Sequence, residues 1–300
     1  MTELSRKILR DWQVRKTKRQ KTAFIEFLKS ELGEENVRVE KSGLLGSRNI
    51  VLGGAADAQY ILAAHYDTQP VMPFPNFLAP KNLPVYIGYT LLLCLGFFGI
   101  AFALGFVCGM LSLPSWIASL LSEAAVIGIL ALLLLGPANR HTANDNTSGV
   151  ITVLEAYQNE AIRSQAAFVL FDHEELGLFG SAAFAKAHKA ELAGKLLLNF
   201  DCVGDGDTVM LILSREAEDC RESLEKAFFP EGEKEVRLER AKGTLYPSDQ
   251  MNFKRSIGVA AFCRHPRIGL YLSRIHTKKD TVCEEENIAL LVRGIGRLCQ

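Results

Sequence analysis

The sequence predicts a three-layer α/β fold, a central mixed β-sheet with helices on both faces, interrupted by an apolar helical hairpin. Short apolar runs alternate with stretches of helical periodicity, the pattern of βαβ units. Acidic and histidine-bearing motifs stand where those runs stop, as they do when an α/β sheet binds a ligand beyond its strand ends. The stretch 84–136 holds one charged side chain, Glu123, and is otherwise dominated by Leu, Ile, Ala, Gly and Phe.

Taken in order, helical periodicity over 22–32 precedes strand-like runs over 37–40, 49–52 and 60–64. After the hairpin, 149–159 reads as a helix, 167–171 as a strand, 181–193 as a helix and 195–200 as a strand. Strands over 209–213 and 258–262 and a closing helix over 284–298 complete the sheet and its cover. Repeats and low-complexity tracts are absent. The catalytic domain is therefore expected to be discontinuous, 1–80 with 137–300, around an insertion at 81–136.

The insertion divides near Leu111-Ser112-Leu113-Pro114-Ser115 into 85–110 and 116–135, each near the roughly 20 residues that span a bilayer. A helical pair buried in a globular domain would share this apolarity, but soluble helices keep a polar face and neither stretch has one. Gly96, Gly99, Gly105 and Gly109 suit close helix packing, and Glu123 suits a place near an interface. Lys81 precedes the hairpin and Arg140 follows it, while its tip is uncharged, so both ends and the catalytic domain are expected on the cytoplasmic side of a cell membrane. The first 21 residues carry Arg6, Lys7, Arg10, Arg15, Lys16, Lys18, Arg19 and Lys21 and show no secretory signal.

Composition fits a globular enzyme, with 48% hydrophobic residues and 34 basic against 34 acidic side chains. That balance, without long basic blocks, gives no footprint for nucleic acid. Seven cysteines without a Cys-x-x-Cys pair imply reduced thiols. His-Glu-x-x-His, Gly-x-Ser-x-Gly and Gly-x-x-x-x-Gly-Lys are all missing, which argues against those peptidase, hydrolase and nucleotide-binding classes.

The polar motifs are His65-Tyr66-Asp67, Asn144-Asp145-Asn146, Asp172-His173-Glu174-Glu175, Asp201 after 196–200, and His276. Singly, each has an ordinary reading as a turn, a helix cap or a strand-end hydrogen bond. Together, two imidazoles and several carboxylates suit zinc, and there are enough of them for two ions clamping a hydrolysis. Asp145 is the natural bridge between the ions. Adjacent side chains of a strand end or turn diverge, so Glu174 is assigned as the base and Glu175 as a ligand. Asp67, two residues after His65, returns to its face and is expected to orient the imidazole.

The motifs Ala64-His65-Tyr66-Asp67, Asn144-Asp145-Asn146-Thr147-Ser148-Gly149, Glu174-Glu175-Leu176-Gly177-Leu178-Phe179-Gly180-Ser181, Asn199-Phe200-Asp201 and His276-Thr277-Lys278-Lys279-Asp280-Thr281 resemble, in this order, the di-zinc aminopeptidase family that includes bacterial leucyl aminopeptidases and glutamate carboxypeptidase. The resemblance implies one zinc on His65, Asp145 and Asp201, a second on Asp145, Glu175 and His276, and Glu174 as general base. The family's Ser-Asp-His segment appears as Ser248-Asp249-Gln250, and Tyr246 just upstream is placed to donate a phenolic hydrogen bond to a tetrahedral intermediate. The expected function is a membrane-associated exopeptidase acting on peptides, an aminopeptidase in preference to a carboxypeptidase, which would need Arg264, Arg267 or Arg274 for a terminal carboxylate. The alternatives are a one-zinc glutaminyl cyclase of the same fold and a non-catalytic membrane scaffold.

Overall fold

The computed structural model describes residues 1–43, 45–53 and 58–300. Helices α1 (Glu3–Asp11) and α2 (Lys18–Leu32) come first, each opened by a threonine whose side chain accepts a first-turn N–H, with a reciprocal Thr17/Gln20 cap on α2. Strands β1 (Arg38–Ser42) and β2 (Ser47–Leu52) form an antiparallel hairpin, followed by β3 (Tyr60–His65). The long helices α3 (Leu83–Met110) and α4 (Ser115–Leu135) intervene before α5 (Gly149–Gln158), the short α6 (Glu160–Arg163) and β4 (Ala166–Phe171). Then come α7 (Phe179–Ala187), β5 (Leu196–Phe200), β6 (Thr208–Leu213), α8 (Arg221–Ala227) and β7 (Glu235–Arg240). The chain closes with β8 (Ser256–His265), β9 (Gly269–Tyr271) and α9 (Glu285–Leu298).

The strands pair in the order β1-β2-β4-β3-β5-β8-β6-β7, with β9 on β8. The central four, β4, β3, β5 and β8, are parallel, while β2 and β6 run antiparallel against them. Alternate residues of each strand feed different cores, as the two-residue period of a strand requires. Leu62 and Ala64 of β3, Phe168 and Leu170 of β4, and Leu198 and Phe200 of β5 pack with α1, α2, α5 and α9. Ile61, Ala63, Val169, Phe171 and Leu197 pack on the opposite face with Phe184 of α7 and Phe253. The expected three-layer mixed α/β fold is the one observed. From β3 the chain passes through α5 to β4 on one side, then through α7 to β5 on the other, so the direction of winding switches beside β3, where such sheets place their sites.

Several boundaries differ from the sequence reading. The helix expected over 181–193 ends at Ala187, because His188 turns to Glu40 and Glu191 (2.7 and 2.9 Å) and the chain then winds through Gly194, at φ +79°, into β5. Helix α8 and strand β7 went unread. The last of these alternates Glu, Arg and Leu at the sheet edge, where one side faces water and no apolar run is needed.

Helices α3 and α4 are long and apolar enough to cross a membrane, and only 6% and 0% of their most apolar windows are buried inside the protein. The glycines of α3 do not line the contact with α4: a Cβ added at Gly96, Gly99, Gly105 or Gly109 would meet nothing within 4 Å. Glu123 lies eight residues into α4, about 12 Å along its axis.

Candidate metal centre

The C-terminal ends of the parallel strands bring the ligand candidates together. His65 is the last residue of β3, and Asp201 directly follows β5. Asp172 directly follows β4 and starts the turn that carries Glu174 and Glu175. Asp145 departs from the strand-end expectation: it sits in the turn 143–148 that leads into α5, with α4 before it instead of a strand. His276 comes from the loop after β9.

That turn is fixed by side chains. Asp280 accepts the N–H groups of Asn144 and Asp145 (2.8 and 3.0 Å). The Asn144 carboxamide oxygen accepts the N–H groups of Gly204 and Asp205 (2.7 and 3.1 Å), and the Asn146 amide donates to the Phe200 carbonyl (2.9 Å). The loop after β5 is thereby stitched to the start of α5. A Cβ on Gly149 would lie 2.2 Å from the Phe200 carbonyl oxygen, so only glycine fits at this junction. His173, Leu178, Cys202 and His276 all hold positive φ between 55° and 62°, a conformation costly for residues with a Cβ and concentrated at functional sites.

The geometry separates into two half-sites that share one carboxylate. Asp145 Oδ1 lies 3.3 Å from His65 Nε2, which is also 3.5 Å from Asp201 Oδ1. Asp145 Oδ2 lies 3.0 Å from His276 Nε2, which is 3.4 Å from Glu175 Oε2. Ligand atoms about 2.0–2.2 Å from a tetrahedral zinc are separated by about 3.3–3.6 Å; three of the four spacings fall in that range and the fourth, His276 to Asp145 at 3.0 Å, is slightly shorter. Glu175 Oε1 and the Nδ1 atoms of His65 and His276 are buried without a hydrogen-bond partner among the described residues. The donor set, His, Asp and Glu without Cys, is one that zinc accepts. These residues fit a metal.

Electrostatics point the same way. Burial, then the charges of Asp145 and Glu174, push the Glu175 carboxyl well above its usual range. Glu174 is raised mainly by burial and further by Asp201, Asp249 and Asp67, against the pull of His65. Burial opposes ionisation of Asp145, yet the His276 and His65 imidazoles hold its carboxyl well below the ordinary value. Divalent cations would relieve this crowding of carboxylates.

Asp67 takes a somewhat different part from the one expected. Its oxygen lies 3.6 Å from His65 Nδ1, longer than a hydrogen bond, while the carboxylate accepts the N–H groups of Glu174 and Glu175 (3.0 and 3.3 Å). It therefore sets the main chain of the glutamate doublet as well as facing the imidazole. Tyr246 is buried in the cavity wall, and its hydroxyl donates to the Asp201 carbonyl (2.8 Å). His65, Asp145, Glu174, Glu175, Asp201 and His276 line one cavity of about 140 Å³, whose apolar side is made by Leu78, Leu272 and Ile275.

Residues 128–291, more than half of the chain, match the model of peptidase family M28. The chain belongs to peptidase family M28. The matched stretch contains Asp145, Glu174, Glu175, Asp201 and His276; His65 lies upstream of it and reaches the cluster through β3. The M28 fold is shared with solved structures of low sequence identity. The LapA aminopeptidase of Legionella pneumophila is 16% identical, with a TM-score of 0.56 over 99% of this chain and 67% of that one. The glutaminyl cyclase of Porphyromonas gingivalis is 13% identical, with a TM-score of 0.57 over 98% of this chain and 96% of that one. The glutaminyl cyclase of an Acidobacteriales bacterium is 15% identical, with a TM-score of 0.58 over 99% and 91%. No curated protein matches the sequence.

Some residues of this M28 site had no role assigned from the sequence. Arg15, fully buried, donates from Nε to the Tyr66 carbonyl and from its guanidinium nitrogens to Thr147 Oγ1 (3.2 and 3.3 Å), binding the segment before α2 to the Asp145 turn. Burial lowers its pKa to about 10, against the attraction of Asp67 and Asp145. Asp249 is fully buried beside the cluster, its pKa raised to about 7 chiefly by burial. Lys21 and Asp172 form a buried ion pair behind the glutamate turn. His-x-Asp and Glu-Glu motifs announce themselves locally; these residues act through partners far away in sequence.

Proposed function

We propose that this M28 peptidase is a zinc-dependent aminopeptidase with a two-ion centre, anchored in a membrane by α3 and α4. The carrying observation is the division of Asp145, one oxygen toward His65 and the other toward His276 (3.3 and 3.0 Å). His65, Asp145 and Asp201 would hold one zinc, and Asp145, Glu175 and His276 the other. Bound zinc supplies Lewis acidity and makes deprotonation of water accessible near neutral pH.

Glu174 lines the cavity without belonging to either half-site built on Asp145. Its raised proton affinity, caused first by burial, suits a group that takes a proton from the attacking water and hands it to the leaving amine. The carboxylates of the cavity suit a peptide's free α-amine. A carboxypeptidase reading is less well supported: Arg274 pairs with Asp205 (3.3 Å), Arg264 pairs with Glu235, and neither they nor Arg267 lines the cavity. Leu78, Leu272, Ile275 and the ring of Tyr246 form a wall suited to an aliphatic first residue. For Tyr246 to donate to a reacting oxygen, its bond to the Asp201 carbonyl would have to be released. The hairpin would place both its ends, flanked by Lys81 and Arg140, on the cytoplasmic side.

The test is amino-acid release from unblocked and N-acetylated peptides by detergent-purified protein, with and without zinc, beside Glu174→Gln. Release from free N-termini alone, dependent on zinc and reduced about 10²–10⁴-fold in the variant, is expected. The coverage of the two cyclases over 96% and 91% of their length supports a second reading, a glutaminyl cyclase, which predicts ring closure of N-terminal glutamine with loss of ammonia and one zinc per chain. A scaffold would show neither reaction, and the intact ligand set weighs against it.

A further inference from the structure

Both ends of the hairpin open onto the catalytic cluster. Tyr86, three residues into α3, lines the cavity that holds His65, Glu174 and His276. Leu134 and Leu135, the last residues of α4, line a second cavity of about 240 Å³ with Asp67, Glu175 and Leu176. Glu175 borders both. The hairpin base is also tied to the ligands themselves: the Met72 N–H donates to the His276 carbonyl (2.7 Å), and Phe77 packs near Tyr89 of α3 and Tyr271 (ring centroids 5.3 and 6.2 Å). On the other side Lys16 Nζ donates to the Leu134 carbonyl (3.4 Å).

Helix lengths set the depth. At 28 and 21 residues, α3 and α4 are about 42 and 32 Å long, against about 30 Å of hydrocarbon. Measured from their common tip, α3 outruns α4 by about 10 Å, so Tyr86 and Tyr89 stand at or just outside the level of Leu135, where tyrosine favours the headgroup region. The rim is apolar and exposed, with Leu83, Leu134, Leu135 and Leu176 at 54, 55, 73 and 37%. Beside it, sharing Lys16, Lys21 and His173 with the α4 cavity, lies a hollow lined by Lys16, Lys18, Lys21, Lys41 and Arg48 against one acid, Asp172. Such charge suits an anionic leaflet.

We propose that the cleft opens at the bilayer surface and that its substrates are membrane-held peptides whose free N-terminus emerges at headgroup level. This rests on the aminopeptidase reading and on an embedded hairpin. The experiment co-reconstitutes the full chain in phosphatidylcholine/phosphatidylglycerol vesicles with one unblocked peptide sequence, free or joined to a transmembrane anchor by spacers of about 4 or 16 residues, which reach at most about 14 or 55 Å. A cleft at the headgroups releases the first residue from both anchored forms at rates within about twofold of each other, and at least tenfold faster than from the free peptide at equal bulk concentration. Release from the long-spacer and free peptides with the short-spacer form at least about tenfold slower would overturn the inference alone. Release from no form overturns the aminopeptidase reading, and this inference with it.

Discussion

Lys21 and Asp172 offer a clean test of how the glutamate turn is held. Their side chains are 5% and 1% exposed, and the Asp172 carboxylate also accepts the N–H groups of Arg48 and His173 (2.9 Å each). Replacing Asp172 with Asn leaves an ammonium buried without its counter-charge, a defect worth about 3–5 kcal/mol. Lys21→Met leaves a buried carboxylate that still accepts two main-chain N–H groups, so its cost is expected near the lower end, about 3 kcal/mol. The double variant removes both charges, so its cost should fall well below the sum of the single costs. At about 2–4 °C per kcal/mol for a domain of this size, Asp172→Asn should lower Tm by about 6–20 °C. Thermal unfolding of the four proteins in one detergent reads this directly. Single costs below about 1 kcal/mol, or strict additivity, would refute the claim that this pair is a buried, mutually dependent element of the catalytic turn.

Asp67→Ala removes the acceptor for the N–H groups of Glu174 and Glu175; a loss of about 10–100-fold in activity and zinc affinity is expected, read by competition with a chromophoric chelator. Chelation should lower Tm and zinc should restore it, a stabilisation of about 2.7 kcal/mol per bound ion at free zinc 100 times Kd, with elemental analysis returning two ions per chain under the proposed reading. His188 has its pKa raised, since burial is outweighed by hydrogen bonds to Glu191 and Glu40. The stabilisation from that raised value is complete below the unfolded histidine pKa of about 6.5 and fades as pH rises through the folded value. His188→Gln should therefore cost more Tm at pH 5.5 than at pH 9, and an equal loss at both would mean the imidazole acts only through its packing on Phe184.

The sheet was legible because its central strands are buried on both faces and read as unbroken apolar runs, such as Leu196-Leu197-Leu198 in β5 and Phe168-Val169-Leu170 in β4. The candidate ligands His65, Glu175 and Asp201 stood out because each follows such a run, Asp145 because it sits in a turn-rich hexapeptide, and His276 through the family resemblance. What escaped was of two kinds. Strand β7 and helix α8 are edge elements whose alternating charges resemble a loop. Arg15, Lys21 and Asp280 act over separations of 132, 151 and 136 residues, which leave no mark on local periodicity. Glycine spacing in α3 misled because it matches a packing motif, yet a Cβ at those positions would face open space.

The contacts at the base of α3 and α4 show how the sheet accommodates them. The strand-like segments that leave and re-enter the domain meet at a bridge between Pro70 and Ala138, reinforced by Val71 N–H to the Pro137 carbonyl and Asn139 N–H to the Gln69 carbonyl (2.9 Å each). The segment 71–137 that carries the hairpin thus starts and ends at one point, and lengthening a loop whose ends already touch costs little closure entropy, about 0.6 kcal/mol per doubling. Cys108 is the sole described residue of either long helix that is fully buried, so α3 and α4 contribute little to the domain's cores. The same junction fixes the chemistry, because Asn139 reaches the Thr277 carbonyl (2.9 Å) and Met72 the His276 carbonyl (2.7 Å). The segments flanking α3 and α4 are therefore joined to the loop that carries His276 through one main-chain and one side-chain hydrogen bond.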